Sequence, residues 1–376
     1  MALSLLDGNE TTALGASAAG CKFFAGYPIT PATSIFNVML NLLPQKGGVC
    51  MQGEDEIASI GYCLGASMAG LKSMTATSGP GISLYSENIS FALGSEIPIV
   101  IVNVQRLGPS TGSATKGADG DIQFLRWGSS SGLPVIVLAP VDAADCYILT
   151  KQAFNLAEKY RCPVFIASNK EIALTKESVD LNLLEKPEII ERKLFAGKQE
   201  EKFMPFAVKK GADTPEFLPI GFKGRLARQT SSTHGENGYI TIDVSEIENT
   251  QNRLKHKIEA NIDSFTYFEE VNTKNSDTLI IAYGITARAA KTAVSILKKD
   301  NISASVLILK TLWPVPEKLI KEKAEKFNNI VVIEMNKGQY IKEIERILCG
   351  KKIKFFGQMN GVLIEPEQIS EVIKNG

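Results

Sequence analysis

Six short apolar segments recur between about residues 10 and 175, and they often end at a glycine, proline, serine or threonine. They are rich in valine and isoleucine, and amphipathic runs such as Ile57–Ala69 and Ala143–Tyr160 lie between several of them. Buried strands that alternate with helical patterns predict an α/β fold, in which a parallel sheet carries helices on both faces. The predicted strands are Lys22–Tyr27, Val49–Gln52, Lys72–Thr77, Ile97–Val104, Pro134–Leu138 and Pro163–Ser168.

The alternation stops after residue 176, where charged and polar stretches become dominant, and it returns near residue 277. We therefore predict a first domain over 1–176, a largely irregular connector over 177–270 and a smaller α/β domain over 271–376. The connector is expected to end in a helix near Glu246–Glu259, and long loops of this kind are usually functional or wrap a partner. The elements predicted for the smaller domain are the strands Thr278–Tyr283, Ser303–Leu309, Ile330–Glu334 and Lys351–Phe356 and the helices Thr286–Lys299 and Ile341–Leu348.

The composition excludes several classes of protein. Lysine plus arginine and aspartate plus glutamate both number 41, so the excess of basic charge that is usual in nucleic-acid-binding and membrane-surface proteins is absent. No segment reaches the roughly 18 apolar residues of a membrane span, and Met1–Leu6 lacks the basic start of a secretory signal. We expect a cytoplasmic protein without nucleic-acid or membrane partners.

The cysteines also limit the chemistry of this chain. All six are scattered, and no two have the C-x-x-C spacing. Iron–sulfur and zinc sites need thiolates that converge on one metal, so we predict no metal site here and expect free thiols in a reducing compartment. Any redox metal centre would then belong to another chain.

Two motifs follow the first two predicted strands. Gly26–Pro31 contains two prolines that fix the backbone, so the Thr30 hydroxyl is presented by a rigid loop at the edge where parallel sheets bind ligands. Glu54–Glu56 then opens a helix rich in small residues, in which Gly61 and Gly65 lie one above the other. Because glycine costs roughly 1 kcal/mol per residue in a helix, we expect another backbone or a ligand to approach there. A plain turn for the first motif and acids that complement the helix dipole for the second remain the simpler interpretations.

Two more motifs follow the third and fourth strands. The glycines of Thr77–Gly81 permit tight turns and close approach of a ligand. In Val104–Gly112, Arg106 lies among glycines that expose backbone N–H groups, and an arginine in such a loop can bind a carboxylate through two hydrogen bonds. A structural ion pair is an equally open interpretation of Arg106.

Taken together, these four segments resemble the alpha subunit of 2-oxoacid:ferredoxin oxidoreductases, and among these the 2-oxoglutarate oxidoreductases (2-oxoglutarate synthases) are the most similar. The spacing from Glu56 to Thr77–Gly81 is similar to that in the pyrimidine-binding domain of thiamine diphosphate enzymes. Further along, Ala282–Arg288, Thr311–Pro316 and Glu334–Gln339 resemble the C-terminal domain of transketolases. The resemblance implies a thiamine diphosphate-binding fold, with a pyrimidine-binding domain and a smaller transketolase C-terminal-like α/β domain.

The resemblance also implies roles for individual residues. Glu56, rather than Glu54, matches the family's activating glutamate, whose carboxyl group hydrogen-bonds the pyrimidine N1′ of thiamine diphosphate and favours deprotonation of the thiazolium carbon. Thr30 and Arg106 match residues that contact the 2-oxoacid. The expected cofactor-binding residues are Pro28, Glu56, Ser78 and Gly79.

The chain has no G-D-G motif, with which thiamine diphosphate enzymes hold the diphosphate and Mg²⁺. The resemblance therefore implies a beta subunit that supplies the diphosphate half of the site, Mg²⁺ and a [4Fe–4S] cluster. It also implies ferredoxin as electron acceptor, and gamma and delta subunits in larger members. The implied reaction is the coenzyme A-dependent oxidative decarboxylation of a 2-oxoacid, with 2-oxoglutarate as first choice, to an acyl-CoA and CO₂.

Several alternatives stay open. Ser129–Gly132 stands where many family members have a histidine and an aspartate, so pyruvate or a branched-chain 2-oxoacid is an alternative substrate. A transketolase-like or pyruvate dehydrogenase-like subunit that reduces no ferredoxin would share the fold and Glu56. A noncatalytic scaffold is the third interpretation, and the presence of Thr30, Glu56 and Arg106 argues against it.

Overall fold

The computed structural model describes residues 3–185, 187–197 and 201–375, and helices and strands alternate through most of this range. The strands are β1 (Ser4–Leu6), β2 (Phe23–Gly26), β3 (Val49–Gln52), β4 (Ser73–Thr77), β5 (Ile99–Gln105), β6 (Ile136–Leu138), β7 (Pro163–Asn169), β8 (Glu177–Val179), β9 (Phe268–Val271), β10 (Thr278–Ala282), β11 (Ala304–Leu309), β12 (Thr311–Trp313), β13 (Asn329–Glu334) and β14 (Lys352–Gly357). The helices are α1 (Gly8–Ala18), α2 (Thr33–Gln45), α3 (Glu56–Met68), α4 (Gly79–Leu84), α5 (Ser86–Gly94), α6 (Ile122–Trp127), α7 (Ala143–Tyr160), α8 (Lys170–Leu174), α9 (Val244–Glu259), α10 (Thr286–Lys299), α11 (Glu317–Ala324), α12 (Ile341–Ile347) and α13 (Pro366–Lys374), and Ile262–Phe265 forms a 3₁₀ turn.

The first sheet has seven strands in the order β12-β6-β7-β5-β4-β2-β3. Neighbours pair in parallel, except that β12 runs antiparallel to β6. The central strands β5 and β7 are buried at every position, which is why their sequences are continuous apolar runs. Helices α1, α2 and α7 pack on one face, and α3, α4 and α5 pack on the other. The predicted fold class is confirmed, and each of the six predicted strands is present to within two residues.

The second sheet has the order β14-β13-β10-β11-β9, in which only β9 is antiparallel to its neighbour. Its predicted strands and helices are confirmed, as is the helix that ends the connector. One continuous apolar cluster contains residues of both sheets, such as Ile99 and Ile101 of β5 and Leu279 and Ile281 of β10. The two sheets therefore share a core across the interface between them.

Three strand pairings cross the domain limits predicted from the sequence. Strand β8 lies beyond residue 176 and pairs with β1. Strand β9 begins before residue 271 and pairs with β11. Strand β12 lies within the predicted second domain but pairs with β6 of the first sheet. An unpaired edge strand exposes N–H and C=O groups, and β12 covers that edge of β6. The division of the chain at residues 176 and 270 stays a prediction. In the structure, strands from one predicted region pair with strands of another.

Buried cations hold the connector, which has no helix or strand between Val179 and Val244 among its described residues. Arg161 donates to the carbonyl oxygens of Pro215 and Glu216 at 3.2 Å each. Arg192 pairs with Glu158 at 2.7 Å, and both partners are buried. The ring of Phe217 lies 4.3 Å from the Arg192 guanidinium carbon and 5.3 Å from that of Arg161. Charge and cation–π contacts thus replace the hydrogen bonds of regular structure.

A second buried charge cluster fixes α9 to the end of α5. The Glu96 carboxylate is fully buried and lies 2.6 Å from Arg253 Nη2 and 2.7 Å from Lys257 Nζ. Burial raises the pKa of Glu96, but Lys257 and then Arg253 outweigh it and lower the pKa to about 2. The depressed pKa stabilises the fold above the ordinary pKa of glutamate, and this stabilisation is lost as the pH falls towards 2.

We predict that Glu96→Gln lowers the free energy of unfolding by about 3–5 kcal/mol, because it leaves the buried Lys257 and the partly buried Arg253 without their counter-charge. Denaturant unfolding followed by circular dichroism measures this change. The matched control is Glu259→Gln, in which an exposed carboxylate loses a partner, Lys255, at 3.8 Å; it should change stability by no more than about 0.5 kcal/mol. Equal effects of the two substitutions would contradict the assignment of Glu96 as the anchor.

Candidate active site at the carboxyl ends of the parallel strands

The carboxyl ends of β2, β4, β5 and β7 lie at one edge of the first sheet, because these strands are parallel neighbours. Gly26–Pro31 follows β2, Thr77–Gly81 includes the end of β4, and Arg106 follows β5. Glu56 begins α3, which follows the adjacent edge strand β3. The fold therefore brings the four sequence motifs to the edge at which open α/β sheets bind ligands.

Thr30 and Arg106 are in direct contact. Arg106 Nη1 donates to the Thr30 carbonyl oxygen at 2.6 Å, and Nη2 donates to the Thr111 carbonyl oxygen at 2.9 Å. Its Nε is buried and has no partner among the described residues, and a guanidinium has five N–H donors in all. Burial lowers the pKa of Arg106, whereas the nearby Asp121 raises it. A buried cation with unused donors is suited to bind an anion beside the Thr30 loop.

Glu56 is the first residue of α3, and the helix is capped by Asp55, whose Oδ1 accepts from the Ala58 N–H at 2.7 Å. Glu54 instead lies at the surface and accepts a hydrogen bond from the Tyr62 hydroxyl at 2.8 Å. The Glu56 side chain is only 8% exposed and accepts no hydrogen bond from the part of the chain that the structure describes. Glu56 is thus a buried carboxyl group that is free to bind a ligand, while Asp55 stabilises the helix.

The turn Thr77–Gly81 lies against Glu56. A Cβ atom at Gly81 would lie 2.8 Å from Glu56 Cγ and would overlap the Thr77 hydroxyl, so only glycine allows this approach. Ser78 is the residue immediately before α4, and its Oγ is buried without a partner in the described residues. An unpaired buried hydroxyl in the turn that lies against Glu56 indicates a polar ligand, since buried polar groups normally have partners.

Asp121 is a site residue for which the sequence pattern predicted no role. Its Oδ2 accepts from Asn103 Nδ2 at 2.9 Å, and its N–H donates to Gln105 Oε1 at 3.0 Å. Its carboxylate oxygens lie 3.7 and 3.8 Å from the position of a Cβ at Gly79. Burial raises the pKa of Asp121, and Asn103 and Arg106 oppose that effect. The sequence signal for Asp121 was the pair Asn103 and Gln105, the two polar residues of the otherwise apolar strand β5.

Asp119 is a second acid that the sequence pattern did not single out. Its Oδ1 accepts from Asn169 Nδ2 at 3.2 Å, and its Oδ2 is buried with no partner in the described ranges. Burial, with smaller contributions from Glu171 and Glu334, raises the pKa of Asp119 to about 8, although the hydrogen bond from Asn169 opposes this shift. This shift favours the neutral form of Asp119, which makes its burial tolerable.

The other predicted features lie less close together. Pro28 is exposed, two residues before Thr30 in the same loop. The Ser129–Gly132 loop is closed by Arg126, which donates to the carbonyl oxygens of Leu133 and Gly132, and Ser130 contacts Ser90 of α5 at 3.1 Å. In the described ranges, no three histidine, cysteine or acidic side chains converge as metal ligands, and no helix is long and apolar enough to span a membrane.

Two family models cover this chain. The model for pyruvate flavodoxin/ferredoxin oxidoreductase, thiamine diphosphate-binding, matches residues 14–253, and the model for core domain II of pyruvate:ferredoxin oxidoreductase matches residues 276–369. This chain belongs to the pyruvate flavodoxin/ferredoxin oxidoreductase family. The first model covers Thr30, Glu56, Ser78, Arg106 and Asp121, and its description names thiamine diphosphate as the cofactor.

Individual relatives agree with this family membership. The 2-oxoglutarate synthase subunit KorA of Archaeoglobus fulgidus is 39% identical over 376 residues, which covers 100% of this chain and 99% of the relative. The ketoisovalerate oxidoreductase subunit VorB of Methanothermobacter marburgensis is 32% identical, and the match covers 100% of this chain and 98% of that relative. The resemblance found in the sequence is confirmed.

A solved structure also superimposes closely. It is the 2-oxoglutarate:ferredoxin oxidoreductase from Magnetococcus marinus with 2-oxoglutarate, coenzyme A and succinyl-CoA bound, with a TM-score of 0.92 and 32% identity. The match covers 99% of this chain, and this chain spans 65% of the length of that one. The Magnetococcus chain is therefore longer than the part that corresponds to this protein.

We predict that Asp119→Asn makes the stability of the protein less dependent on pH. Folded Asp119 keeps its proton up to a pKa of about 8, whereas the ordinary value is 3.8, so the folded state binds more protons between these values and rising pH favours unfolding. Asparagine mimics the neutral acid and removes this effect. The midpoint of thermal unfolding, measured from about pH 5 to about pH 9, should fall less in the variant than in the wild type.

The control for this measurement is Asp263→Asn, which changes an exposed carboxylate paired with Lys318. Its pH profile should parallel that of the wild type, because an exposed pair perturbs stability little. Parallel profiles for Asp119→Asn and the wild type would show that Asp119 is ionised in the folded protein.

Proposed function

We propose that this chain is the alpha subunit of a 2-oxoglutarate:ferredoxin oxidoreductase. The reaction converts 2-oxoglutarate, coenzyme A and two oxidised ferredoxins into succinyl-CoA, CO₂, two reduced ferredoxins and a proton. The observation that carries the proposal is the arrangement of Arg106 with unused donors beside Thr30, at the same sheet edge as the unpaired carboxyl group of Glu56. The relatives named above support the choice of 2-oxoglutarate.

The residues present fit one end of thiamine diphosphate. When bound, this cofactor supplies the nucleophilic carbon that adds to the 2-oxo group of the substrate. Glu56 would hold and exchange a proton at the pyrimidine ring, a role that requires a carboxyl group without another partner. Ser78, Gly79 and Pro28 would contact the cofactor, since Ser78 has an unused buried hydroxyl and Gly79 has no side chain to obstruct the approach.

Arg106 and Thr30 would bind the 2-oxoacid. The unused N–H groups of Arg106 would pair with a substrate carboxylate, while its contact with the Thr30 carbonyl oxygen keeps the two residues together. All 2-oxoacids have the carboxylate next to the oxo group, so this pair alone selects the class and not the side chain. The VorB relative makes branched-chain 2-oxoacids the alternative, as does the Ser129–Gly132 loop, which lacks a cation for a second carboxylate.

A beta subunit would supply what this chain lacks. We assign to it the diphosphate end of the cofactor, Mg²⁺ and a [4Fe–4S] cluster, and we expect ferredoxin, and in larger assemblies gamma and delta subunits, as further partners. Helix α3 supports this proposal, because Ile57 is 49% exposed and, apart from neighbouring residues and the backbone of the helix itself, no described atom lies within 4 Å of a Cβ placed at Gly61 or Gly65. The close contact predicted for these glycines would come from the partner. None of the six cysteines is in a disulfide, which supports a cytoplasmic location.

The test is reconstitution with a partner chain that carries G-D-G and clustered cysteines. This chain alone should be colourless and inactive, and the complex should be brown. The deciding quantity is kcat/KM for 2-oxoglutarate, pyruvate and 2-oxoisovalerate, with a viologen as electron acceptor. A preference for either monocarboxylate would overturn the choice of substrate, and the absence of any 2-oxoacid-dependent reduction would overturn the proposed function.

We predict that Glu56→Gln lowers kcat of the complex by roughly 10²- to 10⁴-fold, the usual size of a general acid–base contribution. Size-exclusion chromatography should show that the complex still assembles. The matched control is Glu54→Gln, two residues away, whose carboxylate contacts only the exposed Tyr62 hydroxyl among the described residues. A larger effect of the control would mean that Glu54 is the activating acid.

We predict that Arg106→Ala raises KM for the 2-oxoacid and lowers kcat/KM by roughly 10- to 150-fold, which corresponds to the loss of about 1.5–3 kcal/mol from a charged hydrogen bond. Steady-state kinetics with varied 2-oxoacid provide the measurement. Thr30→Ala should act in the same direction but more weakly, because it removes one neutral hydroxyl. Unchanged kinetics in Arg106→Ala would assign its guanidinium to holding the loop alone.

A further inference from the structure

Residues of the second sheet hold one segment of the candidate site. We call Asp119–Gln123 the site segment and Met335–Gln339, the turn after β13, the clamp turn. The Asp119 N–H donates to the Met335 carbonyl oxygen at 2.9 Å, and the Asp119 carbonyl oxygen accepts from Asn336 Nδ2 at 2.9 Å. Asp119, the first residue of the site segment, is thus bound to the clamp turn through both its N–H and its carbonyl oxygen.

The rest of the site segment is held in the same way. Gln339 Nε2 donates to the Gly120 carbonyl oxygen at 2.6 Å, and Gln339 Oε1 accepts from the Gln123 N–H at 2.9 Å. Gln123 Nε2 returns a hydrogen bond to the Gln339 carbonyl oxygen at 2.7 Å. Trp313 of β12 donates through Nε1 to the Ile122 carbonyl oxygen at 3.1 Å. Contacts with the second half of the chain therefore flank Asp121 on both sides.

Asp121 itself points the other way, into the site. Its carboxylate accepts from Asn103 of β5 and lies against Gly79, the residue at the start of α4. A movement of the site segment would therefore move a buried carboxylate within the constellation that also contains Arg106. Displacements of about 1 Å at such positions can cost roughly 10²-fold in rate.

We propose that the second sheet is a positioning element for the substrate site, and that Gln339 is the residue through which the clamp turn fixes Asp121. The proposal rests on the function proposed above, and it gives the second sheet a role in the geometry of the site. Asp121 and Gln339 are positioning residues in this proposal, because they act on the geometry of the site.

The clamp turn is itself rigid, as this role requires. The fully buried Glu334 carboxylate accepts from the N–H groups of Tyr340 and Ile341 at 2.9 Å each and from the Tyr283 hydroxyl at 2.8 Å. Within the turn, Asn336 Oδ1 accepts from two further backbone N–H groups. The shared apolar core and β12 already join the two sheets, so simple adhesion between them does not require these contacts.

The test uses the reconstituted complex and Gln339→Met, which keeps the volume of the side chain but removes both of its hydrogen bonds. We expect KM for the 2-oxoacid to rise and kcat/KM to fall by roughly 10- to 100-fold, while KM for coenzyme A changes less than about twofold. Gln123→Met, which loosens the clamp from the opposite side, should shift the same constants in the same direction. This second variant decides the question if Gln339→Met does not fold.

The matched control is Tyr340→Phe, at the residue next to Gln339. It removes one buried hydrogen bond, which the Tyr340 hydroxyl donates to the Leu312 carbonyl oxygen at 3.1 Å. It should lower the thermal midpoint by about as much as Gln339→Met and leave KM for the 2-oxoacid within about twofold. The proposal is overturned if Gln339→Met and Tyr340→Phe have the same kinetics, or if both substrates are affected equally. Activity of the wild-type complex, measured first, separates these outcomes from a failure of the proposed function.

Discussion

The parallel order of β7, β5, β4 and β2 is the constraint on which the rest of the site depends. Parallel neighbours place all their carboxyl ends at one edge, so motifs that are far apart in sequence meet there without any special contact. Arg106 then donates to the Thr30 carbonyl oxygen, and the glycine at position 81 lets the next turn approach Glu56. The chemistry of the site thus follows from strand order together with a small number of short-range contacts.

Several buried polar groups at this edge have no protein partner, although buried hydroxyls without partners also occur elsewhere in the described residues, for example at Ser73 and Ser95. Elsewhere, buried charges are paired, as in the contacts of Glu96 with Arg253 and Lys257 and of Arg192 with Glu158. At the site, the Ser78 hydroxyl, Arg106 Nε and one Asp119 oxygen are buried and have no partner among the described residues. Since unpaired buried polar groups are costly, a polar ligand that pairs with those at this edge would be stabilised there.

Two different kinds of contact, one apolar and one made of hydrogen bonds, join the two sheets. An apolar cluster joins their faces, and this contact is insensitive to small displacements because the hydrophobic effect has no direction. The clamp turn adds directional hydrogen bonds to one segment beside the site. The pairing of β12 with β6 contributes to this directional contact. It places Trp313 of β12 against the same segment, where its Nε1 donates to the Ile122 carbonyl oxygen.

The sequence by itself determined the positions of most strands and helices, the presence of Thr30 and Arg106 in loops that follow strands, and that of Glu56 at the start of a helix. These features depend on local periodicity and on the fixed backbone of proline and glycine, both of which are visible over a few residues. Only the tertiary structure assigned the helix cap to Asp55, gave Asp119 and Asp121 a place in the site, and moved β12 into the first sheet. The deciding contacts there join residues as far apart as Asp119 and Asn336, which are separated by 217 positions, and no local pattern specifies a partner at that distance.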